Sequence, residues 1–431
     1  MNPSLIFAQT IIMALVFLLV CGGRAAFAVE KTDRQMPQPI AKQKIPSAGT
    51  GQQKENLTAF QYSSDLPDRN TIGCVLPLSG RYGDYGNKAL DAMLFAAGIF
   101  DGKNRTSWKI VASDSRGLPE GARNAVAQLA KKGNVMTIIA VAGTLEAFEI
   151  VQEAGKWKIP VILITPKDGL TKANNYVFQH FLTPPQQIEA LVKYAVDDLN
   201  CATFSILYPQ DDYGNEMVKL FRAQAGRVAG KVENAIGYSK TQTDFTEEIK
   251  KVTRQEIGSA KETIAGNTEN KAPVPLDFEA LFIPDSLQRV KMIVSQLAFY
   301  DVKNFKLLGT SFWNTPDLLR KDAEYLEGAV FADSFFANGF YPETNDFVDI
   351  YYSAYSREPD NIEALSYDTM GMIISVLEDK SIATREQFVA GFQQVKNYKG
   401  ATGNTSFSPD RVSQKTAFIL KVKDGKLEQV K

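Results

Sequence analysis

Several residues that could hold a ligand lie where apolar segments of the chain end in short polar loops. The first apolar segment, Thr71 to Leu76, is followed by Ser79 and Gly80, by a loop that contains Tyr85, and then by a helical pattern from Asn87. A strand that ends in such a turn before a helix presents free backbone N–H groups and the positive end of the helix dipole. This arrangement predicts a site for an anionic or polar ligand.

Other apolar segments are followed by residues of the same kind. Thr144 and Leu145 come after the segment that ends at Val141, and Lys167 and Asp168 come after the next segment. The second half of the chain adds four candidates beside predicted strand ends or helix starts: Tyr213, Asp285, Ser311 and Trp313. An ordinary helix cap or turn is the alternative role for each of these residues.

The residue types that enzymes and metal sites need are scarce. His180 is the single histidine, which argues against a His-rich metal site and a Ser-His-Asp triad, so we expect a structural role for it at a strand end. The chain has no nucleophile-elbow, phosphate-loop or C-x-x-C motif. We expect Asp212 to cap the helix that follows it. The sequence therefore predicts no catalytic residues, no metal and no cofactor.

Composition narrows the class of partner. The 431 residues carry 48 Lys and Arg against 49 Asp and Glu, a net charge of −1, so there is no basic excess for nucleic acid. Cys74 and Cys201 each lie in or beside an apolar segment. We expect two separate buried thiols, with a disulfide as the alternative.

The polar residues at the strand ends indicate a small polar ligand as the expected partner.

The N-terminal segment has the features of an export signal. Residues 5–20 are almost wholly apolar, and Ala26-Phe27-Ala28 has the small-residue pattern of a cleavage site. Residues 1–28 are therefore predicted to be a signal peptide, and the protein is predicted to be periplasmic. Lipidation of Cys21 is an alternative, in which case a lipid anchor would be the contact with the membrane. Residues 29–68, rich in Gln, Lys, Pro, Ser and Gly, are predicted to be a flexible tether.

Short apolar runs alternate with helical patterns beyond residue 70. Continuous apolar strands are typical of parallel sheets covered by helices on both faces, so the predicted fold class is α/β, with two doubly wound lobes. The predicted strands are Thr71–Leu76, Trp108–Ala112, Met136–Val141, Val161–Thr165, Thr203–Tyr208, Glu279–Ile283, Phe305–Leu308 and Ala329–Phe331. Three helices after residue 335 and a hairpin of Lys415–Lys423 with Lys426–Val430 complete the prediction. Residues 255–275 are predicted to be a polar surface loop.

The alternation of strands and helices breaks near residues 179–185 and then restarts. Such a break predicts two lobes joined by a hinge. Ligands of open α/β sheets bind outside the carboxyl ends of the strands, so both sets of strand ends should face one interlobe cleft.

From Thr71 to the C-terminus, the chain resembles the type I periplasmic binding proteins of the leucine/isoleucine/valine-binding family. The resemblance rests on the order of the segments IGCVLPLSGRYGDYG, VAGT, IPVILITP, YPQDDYGNEM, ALFIPDS and LLGTSFWN. It implies two lobes joined by three crossovers, with lobe 1 at residues 69–185 and 335–412 and lobe 2 at residues 186–334 and 413–431. It also implies a partner, the permease of an ABC transporter.

Family members that bind amino acids hold the ligand carboxylate with a Ser or Thr and backbone amides at the position of Thr144. Where these members have small residues and a Thr, this chain has Lys167-Asp168-Gly169. Their two ammonium-binding acids fall near Ser311 and Pro184. The carboxylate position therefore matches the family and the ammonium pocket does not, whereas Lys167 would suit an acidic ligand.

The segments IPDSLQRVKMIVSQLAFYDVKNFKLLGTSFWNTPDLL and YLEGAVFADSFF resemble a branch of the family grouped with penicillin-binding-protein activators. Three hypotheses follow. The first is an extracytoplasmic receptor for a small polar ligand, amino-acid-like or another carboxylate. The second is a non-catalytic envelope protein that regulates peptidoglycan synthesis through a partner such as a peptidoglycan synthase. The third is a hydrolase.

Overall fold

The computed structural model describes residues 66–99, 106–254, 276–315, 317–320 and 323–431. The predicted signal peptide, Cys21 and nearly all of the predicted tether lie outside the described residues, as does the loop predicted for residues 255–275. Within the described residues, no helix combines the length and the apolar character that crossing a membrane requires.

The first sheet, as far as the chain is described, consists of five parallel strands in the order β2-β1-β3-β4-β5. They are β1 (Asp68–Leu76), β2 (Lys109–Asp114), β3 (Val135–Val141), β4 (Val161–Ile164) and β5 (Val177–Gln179). Helix α1 (Gly83–Ala96) covers one face, and α2 (Pro119–Lys132) and α3 (Thr144–Trp157) cover the other. Every residue of β3 and β4 is buried as a result.

The second sheet has the order β15-β14-β10-β9-β8-β6-β7. Its parallel strands are β6 (Thr203–Pro209), β7 (Lys231–Tyr238), β8 (Ala280–Phe282), β9 (Lys306–Gly309) and β10 (Val330–Asp333). Helices α4 (Pro184–Asp197) and α5 (Asp212–Arg227) pack on one face, and α6 (Thr246–Thr253) and α7 (Leu287–Phe299) pack on the other. An antiparallel hairpin of β14 (Phe418–Lys423) and β15 (Lys426–Gln429) extends the sheet beside β10.

The chain leaves the second sheet after β10 and returns to the first. Helices α8 (Pro342–Tyr355), α9 (Asn361–Leu377) and α10 (Arg385–Gln393) lie there, with α9 and α10 on the face that α1 covers. A small antiparallel sheet of β11 (Tyr398–Gly400), β12 (Gly403–Phe407) and β13 (Ser413–Lys415) follows. The chain thus passes between the lobes after β5, after β10 and after β13, whereas the limits given above for each lobe stay predictions.

The predicted α/β class with doubly wound sheets is confirmed, and each predicted strand overlaps an observed strand. Four strands, β5, β7, β11 and β12, have no counterpart in the prediction. The short β5 has only three residues, and β7 is a half-exposed edge strand with the sequence KVENAIGY, in which polar residues interrupt the apolar pattern. The first strand of the predicted C-terminal hairpin begins too early, because Lys415 ends β13 and β14 begins at Phe418.

Two local predictions concern single residues. The cap of α5 is Asp211 rather than Asp212, since Asp211 Oδ1 accepts a hydrogen bond from the Gly214 N–H (2.7 Å). Cys74 and Cys201 are buried free thiols, as predicted. Cys74 Sγ lies 3.6 Å from Met93 Sδ in the core of the first lobe, so this cysteine acts as a small apolar side chain.

A lysine with a buried ammonium group joins two of the connections between the lobes. The ammonium of Lys415 donates to His180 Nε2 (2.9 Å), Thr405 Oγ1 (2.9 Å) and Thr402 Oγ1. His180 follows β5 at the first connection, and Lys415 precedes the third. All N–H donors of the ammonium are therefore used, and desolvation lowers the pKa of Lys415 to about 8.

The same network defines the tautomer of His180. Thr369 donates its hydroxyl proton to the carbonyl of Leu365 (2.6 Å), so its oxygen accepts from His180 Nδ1 (2.7 Å). His180 is therefore neutral with its proton on Nδ1, and Nε2 accepts from Lys415. Burial and the charge of Lys415 both lower the pKa of His180, in agreement with this state. The role of His180 is structural, as predicted.

Asp368 balances the charge of Lys415 through a shared threonine. Its carboxylate accepts from the backbone N–H groups of Ala401 (2.8 Å) and Thr402 (2.8 Å) and from the Thr402 hydroxyl. Thr402 thus donates to the carboxylate and accepts from the ammonium. Both charged groups are buried, so each depends on the other for its stability.

Replacing Lys415 with Met should destabilise the protein by about 3–5 kcal/mol, because Asp368 would keep a buried carboxylate without a countercharge. Urea unfolding followed by circular dichroism measures this change. Lys219→Met is the matched control, because Lys219 is exposed on α5, and it should change stability by no more than about 0.5 kcal/mol. Equal stabilities of the two variants would contradict the prediction.

Candidate functional site

A cavity of about 520 Å³ lies between the two lobes, at the carboxyl ends of strands from both sheets. Lobe 1 contributes the loops after β1, β3 and β4, and lobe 2 contributes the start of α5 and a 3-10 helix, Ser311–Trp313, after β9. The lining residues are Pro77, Tyr82, Tyr85, Gly117, Pro119, Val141, Ala142, Gly143, Thr144, Leu145, Glu146, Ile164, Pro166, Phe181, Pro184, Gln187, Tyr213, Met217, Ser311 and Phe312. Open α/β sheets bind ligands at this position.

Half of the predicted site residues line this cavity. They are Tyr85, Thr144, Leu145, Tyr213 and Ser311, and they come from four segments in two lobes. The parallel arrangement of the strands brings these segments together, as the sequence argument requires. Their role in binding a ligand stays a prediction.

Three predicted residues of lobe 1 do not line the cavity. Ser79 donates its hydroxyl to Asp114 Oδ2 (2.5 Å) beside the end of β1. Lys167 and Asp168 lie in the loop after β4, and Asp168 Oδ1 accepts from the N–H of Gly169 (2.7 Å). The cavity lining in this loop ends at Pro166, so the structure does not place the Lys167 charge at the cavity.

The two remaining predicted residues belong to lobe 2 and do not line the cavity. Asp285 accepts from the Tyr238 hydroxyl (2.8 Å) and from the N–H of Ser286 (2.6 Å). Trp313 is fully buried and donates from Nε1 to the carbonyl of Asp285 (3.1 Å). Its indole fills the space over Gly309, where a Cβ would lie 2.3 Å from the ring. The neighbouring Phe312 takes the place in the cavity that the sequence argument assigned to Trp313.

The sequence D-Y-G-N occurs at residues 84–87 and again at 212–215, and its tyrosine lines the cavity in both lobes. Each glycine packs against the carbonyl of the proline at the end of the preceding strand. A Cβ would lie 2.2 Å from Pro77 O at Gly86 and 2.0 Å from Pro209 O at Gly214, so neither site has room for a side chain. The repeat is a sequence signal that marks Tyr85 and Tyr213 as equivalent positions.

Exposed aromatic side chains form much of the cavity surface. Tyr82 and Tyr85 of lobe 1 are 49% and 45% exposed, and Phe312 of lobe 2 is 53% exposed. The rings of Phe312 and Tyr213 lie 5.2 Å apart. Tyr82 and Phe312 are absent from the predicted site residues, although Tyr82 is part of the same loop as Ser79 and Phe312 lies beside Ser311. A cluster of exposed aromatic groups in one cleft marks a binding surface.

The start of α3 supplies the polar part of the cavity. Gly143 precedes the helix in an extended conformation, and Glu146 closes the first turn by accepting from the Gly143 N–H (3.1 Å) and the Ser115 hydroxyl (2.9 Å). Thr144 is exposed at the N-terminus of the helix, where backbone N–H groups have no partner within the helix. A carboxylate or hydroxyl group of a ligand can be accommodated there.

Both tyrosines of the repeated motif remain protonated at neutral pH. Desolvation, with the carboxylates of Asp360 and Asp333, raises the pKa of Tyr85. Desolvation also raises the pKa of Tyr213 to about 12. Each phenol can therefore act as a hydrogen-bond donor at the cavity.

Comparison with known proteins identifies the family to which this chain belongs. A family model described as "Periplasmic binding protein" matches residues 70–426. The chain belongs to the periplasmic binding protein family. Among curated proteins, none matches the chain significantly. The match to the family model agrees with the resemblance described in the sequence analysis.

Solved structures of other binding proteins share the fold. A putative branched-chain amino acid ABC transporter protein from Rhodospirillum rubrum is 19% identical, with a TM-score of 0.72 over 84% of this chain and 99% of that one. The substrate-binding protein LivJ from Streptococcus pneumoniae, in complex with isoleucine, is 21% identical (TM-score 0.62; 84% and 99%). A solute-binding protein from Rhodopseudomonas palustris, in complex with 3,4-dihydroxy benzoic acid, is 18% identical (TM-score 0.62; 83% and 94%).

Membership of this family implies an extracytoplasmic location and a binding rather than an enzymatic role for the protein. The described part of this binding protein contains no group of three or more His, Cys, Asp or Glu side chains placed to hold a metal ion.

A buried carboxylate of this binding protein lies at the second connection between the lobes. Asp333 ends β10 and accepts from Asn314 Nδ2 (2.8 Å) in lobe 2 and from Asn361 Nδ2 (2.7 Å) at the start of α9. The N–H of Ser334 is a third donor (2.6 Å). Burial outweighs these donors and raises the pKa of Asp333 to about 7. The carboxylate therefore links the loop that contains Phe312 to a helix of the other lobe.

Stability should depend on pH through Asp333. Its pKa is about 7 in the folded state against 3.8 for the free side chain, so the folded state holds the extra proton between these values. The stabilisation is therefore present at low pH and is lost as the pH rises through about 7. Urea unfolding should show the stability of the wild type falling relative to Asp333→Asn between about pH 5 and about pH 8. A difference that stays constant with pH would contradict this prediction.

Gly214→Ala should destabilise this binding protein by about 1–3 kcal/mol, because the new Cβ would overlap Pro209 O. Thermal and urea unfolding measure the change. Gly226→Ala is the control in the same helix, because a Cβ there meets nothing within 4 Å and the substitution should stabilise α5 by up to about 1 kcal/mol. A Gly214→Ala variant as stable as Gly226→Ala would disprove the close contact.

Proposed function

We propose that this protein is an extracytoplasmic solute-binding receptor that closes on a small ligand and presents it to the permease of an ABC transporter. The main support is the cavity of about 520 Å³, which residues of both lobes line at their strand ends. A molecule that contacts both walls binds the closed arrangement of the lobes better than the open one and so favours closure. The binding energy is used for closure rather than for covalent chemistry.

Export and attachment belong to the same proposal. Residues 1–28 would act as the signal peptide, and residues 29–68 would connect the folded part to its N-terminus. Lipidation of Cys21 is the alternative that keeps the protein on the membrane. Either route leaves the binding lobes outside the cytoplasm, where a receptor of this class meets its solute.

The proposed ligand is a small carboxylate. Isoleucine in the Streptococcus pneumoniae protein and 3,4-dihydroxy benzoic acid in the Rhodopseudomonas palustris protein both carry a carboxyl group. In this chain, the Thr144 hydroxyl and the first N–H groups of α3 can donate to one carboxylate. The hydroxyl groups of Tyr85 and Tyr213 are further donors on the two walls.

The protein should bind at least one small carboxylate saturably in equilibrium dialysis, with a matching rise in melting temperature. Thr144→Val should weaken this binding by about tenfold, because it removes a donor to a charged group while keeping the shape of the side chain. Thr241→Val, an exposed position after β7 and away from the cavity lining, should leave binding unchanged.

The panel for this experiment contains amino acids, dicarboxylates, aromatic acids, short peptides and cell-wall fragments. A folded protein that binds no member of the panel would overturn the proposal. The alternative, a non-catalytic protein that acts on a peptidoglycan synthase, would then be favoured, and capture of a purified synthase would test it.

A further inference from the structure

We infer that the ligand carries an aromatic ring and lacks an ammonium group, so that its class is aromatic carboxylates rather than α-amino acids. This inference rests on the proposed function, because it concerns the occupant of the same cavity. It is carried by two observations: the aromatic character of both walls and the charge of the lining.

The two walls present aromatic rings from different lobes. Tyr82 and Tyr85 lie on the lobe 1 wall, and Tyr213 and Phe312 lie on the lobe 2 wall. Three of these side chains are about half exposed, although each is large enough to stabilise the fold if it were buried. Rings that remain exposed on opposite sides of one cavity favour a flat ligand that can pack against both.

The position of Tyr82 depends on a residue with no side chain. Gly117 has φ +68, and a Cβ there would lie 2.9 Å from Tyr82 Cδ2. The Arg81 guanidinium lies 5.6 Å from the centre of the Tyr82 ring, so this cation is engaged with the ring and is not part of the lining. The loop thus supports an aromatic surface at the cavity rather than a charged one.

The lining offers no free acid for an ammonium group. Among the described residues that line the cavity, Glu146 is the one charged side chain, and its two oxygens already accept from Ser115 and Gly143. Asp285, at a strand end of lobe 2, is bonded to Tyr238 and Ser286 and does not reach the cavity. An α-ammonium group would therefore lose its water without gaining a carboxylate partner, which is costly.

The remaining surface of the cavity is apolar, and the cavity is large enough for a small molecule. Leu145, Ile164 and Met217 contribute alkyl groups, and prolines lie at the ends of the strands. The volume of about 520 Å³ is within the range of roughly 300–1,000 Å³ that is usual for small-molecule sites. It holds a ring with a short chain and leaves the carboxylate at the start of α3.

The direct test compares two ligands that differ in the ammonium group alone, 3-phenylpropanoate and L-phenylalanine. Isothermal titration of the full chain should give at least about tenfold tighter binding of 3-phenylpropanoate, because its complex leaves no unpaired buried charge. 4-Methylpentanoate and L-leucine form the second pair, in which the ring is replaced by a branched alkyl group. 4-Methylpentanoate should bind more weakly than 3-phenylpropanoate because it cannot stack.

A matched pair of variants tests the aromatic wall. Phe312→Ala should weaken the binding of 3-phenylpropanoate by about tenfold. Phe299→Ala should leave the affinity unchanged, because Phe299 is equally exposed, at 51%, and also pairs with a tyrosine ring, at 5.1 Å, but lies on α7 outside the cavity lining. Circular dichroism of both variants confirms that each is folded.

The possible results separate the inference from the proposed function. Tighter binding of 3-phenylpropanoate, lost in Phe312→Ala and kept in Phe299→Ala, supports both. Tighter binding of L-phenylalanine or L-leucine overturns the inference and leaves the receptor function intact. Absence of binding by every carboxylate, with the protein folded, overturns both.

Discussion

The connections between the two lobes depend on the hydrogen bonds of the buried Lys415 ammonium group. It bonds to His180, 235 residues earlier in the chain, and so fastens the first connection to the third. Ser413 strengthens this link, because its hydroxyl accepts from the N–H of Phe181 (3.0 Å) and donates to the carbonyl of the same residue (3.0 Å). Asp333 holds the second connection with amides from both lobes. Each of the three connections between the lobes is thereby held by hydrogen bonds.

The cleft owes its shape to the close contact of backbone with backbone in both lobes. At Gly86 and Gly214 the helix begins so near the end of the preceding strand that a methyl group would overlap a proline carbonyl. The tyrosine before each glycine is consequently held at the edge of its sheet. The two walls therefore share one local design, and their differences arise in the loops around it, such as Tyr82 in lobe 1 and Phe312 in lobe 2.

The sequence predicts the elements that depend on local pattern and misses those that depend on distant contacts. Continuous apolar runs identify β3 and β4, because parallel strands are buried on both faces. The half-exposed β7 lacks such a run, since the edge of the sheet tolerates polar residues. The contact between Lys415 and His180 has no local signal, because its partners meet only after both lobes have formed.

In the candidate site, too, some features follow from the sequence pattern and others depend on contacts between distant residues. Thr144 and Tyr213 line one cavity because the topology of the two sheets brings these strand ends together, whereas their role in binding stays a prediction. The choice between Phe312 and Trp313 is not predictable in this way. It depends on a single turn of 3-10 helix and on the space over Gly309, which admits the indole and turns the neighbouring ring outward.

The C-terminal hairpin has a consequence for how the chain matures. Strand β14 pairs with β10, about 90 residues earlier, and the last residue, Lys431, bonds to Asp198 across the second lobe (2.8 Å). The second sheet therefore stays incomplete until β14 and β15 have been synthesised. Pairings between segments so distant in sequence form slowly, because the long stretch of chain between them must close into a loop first.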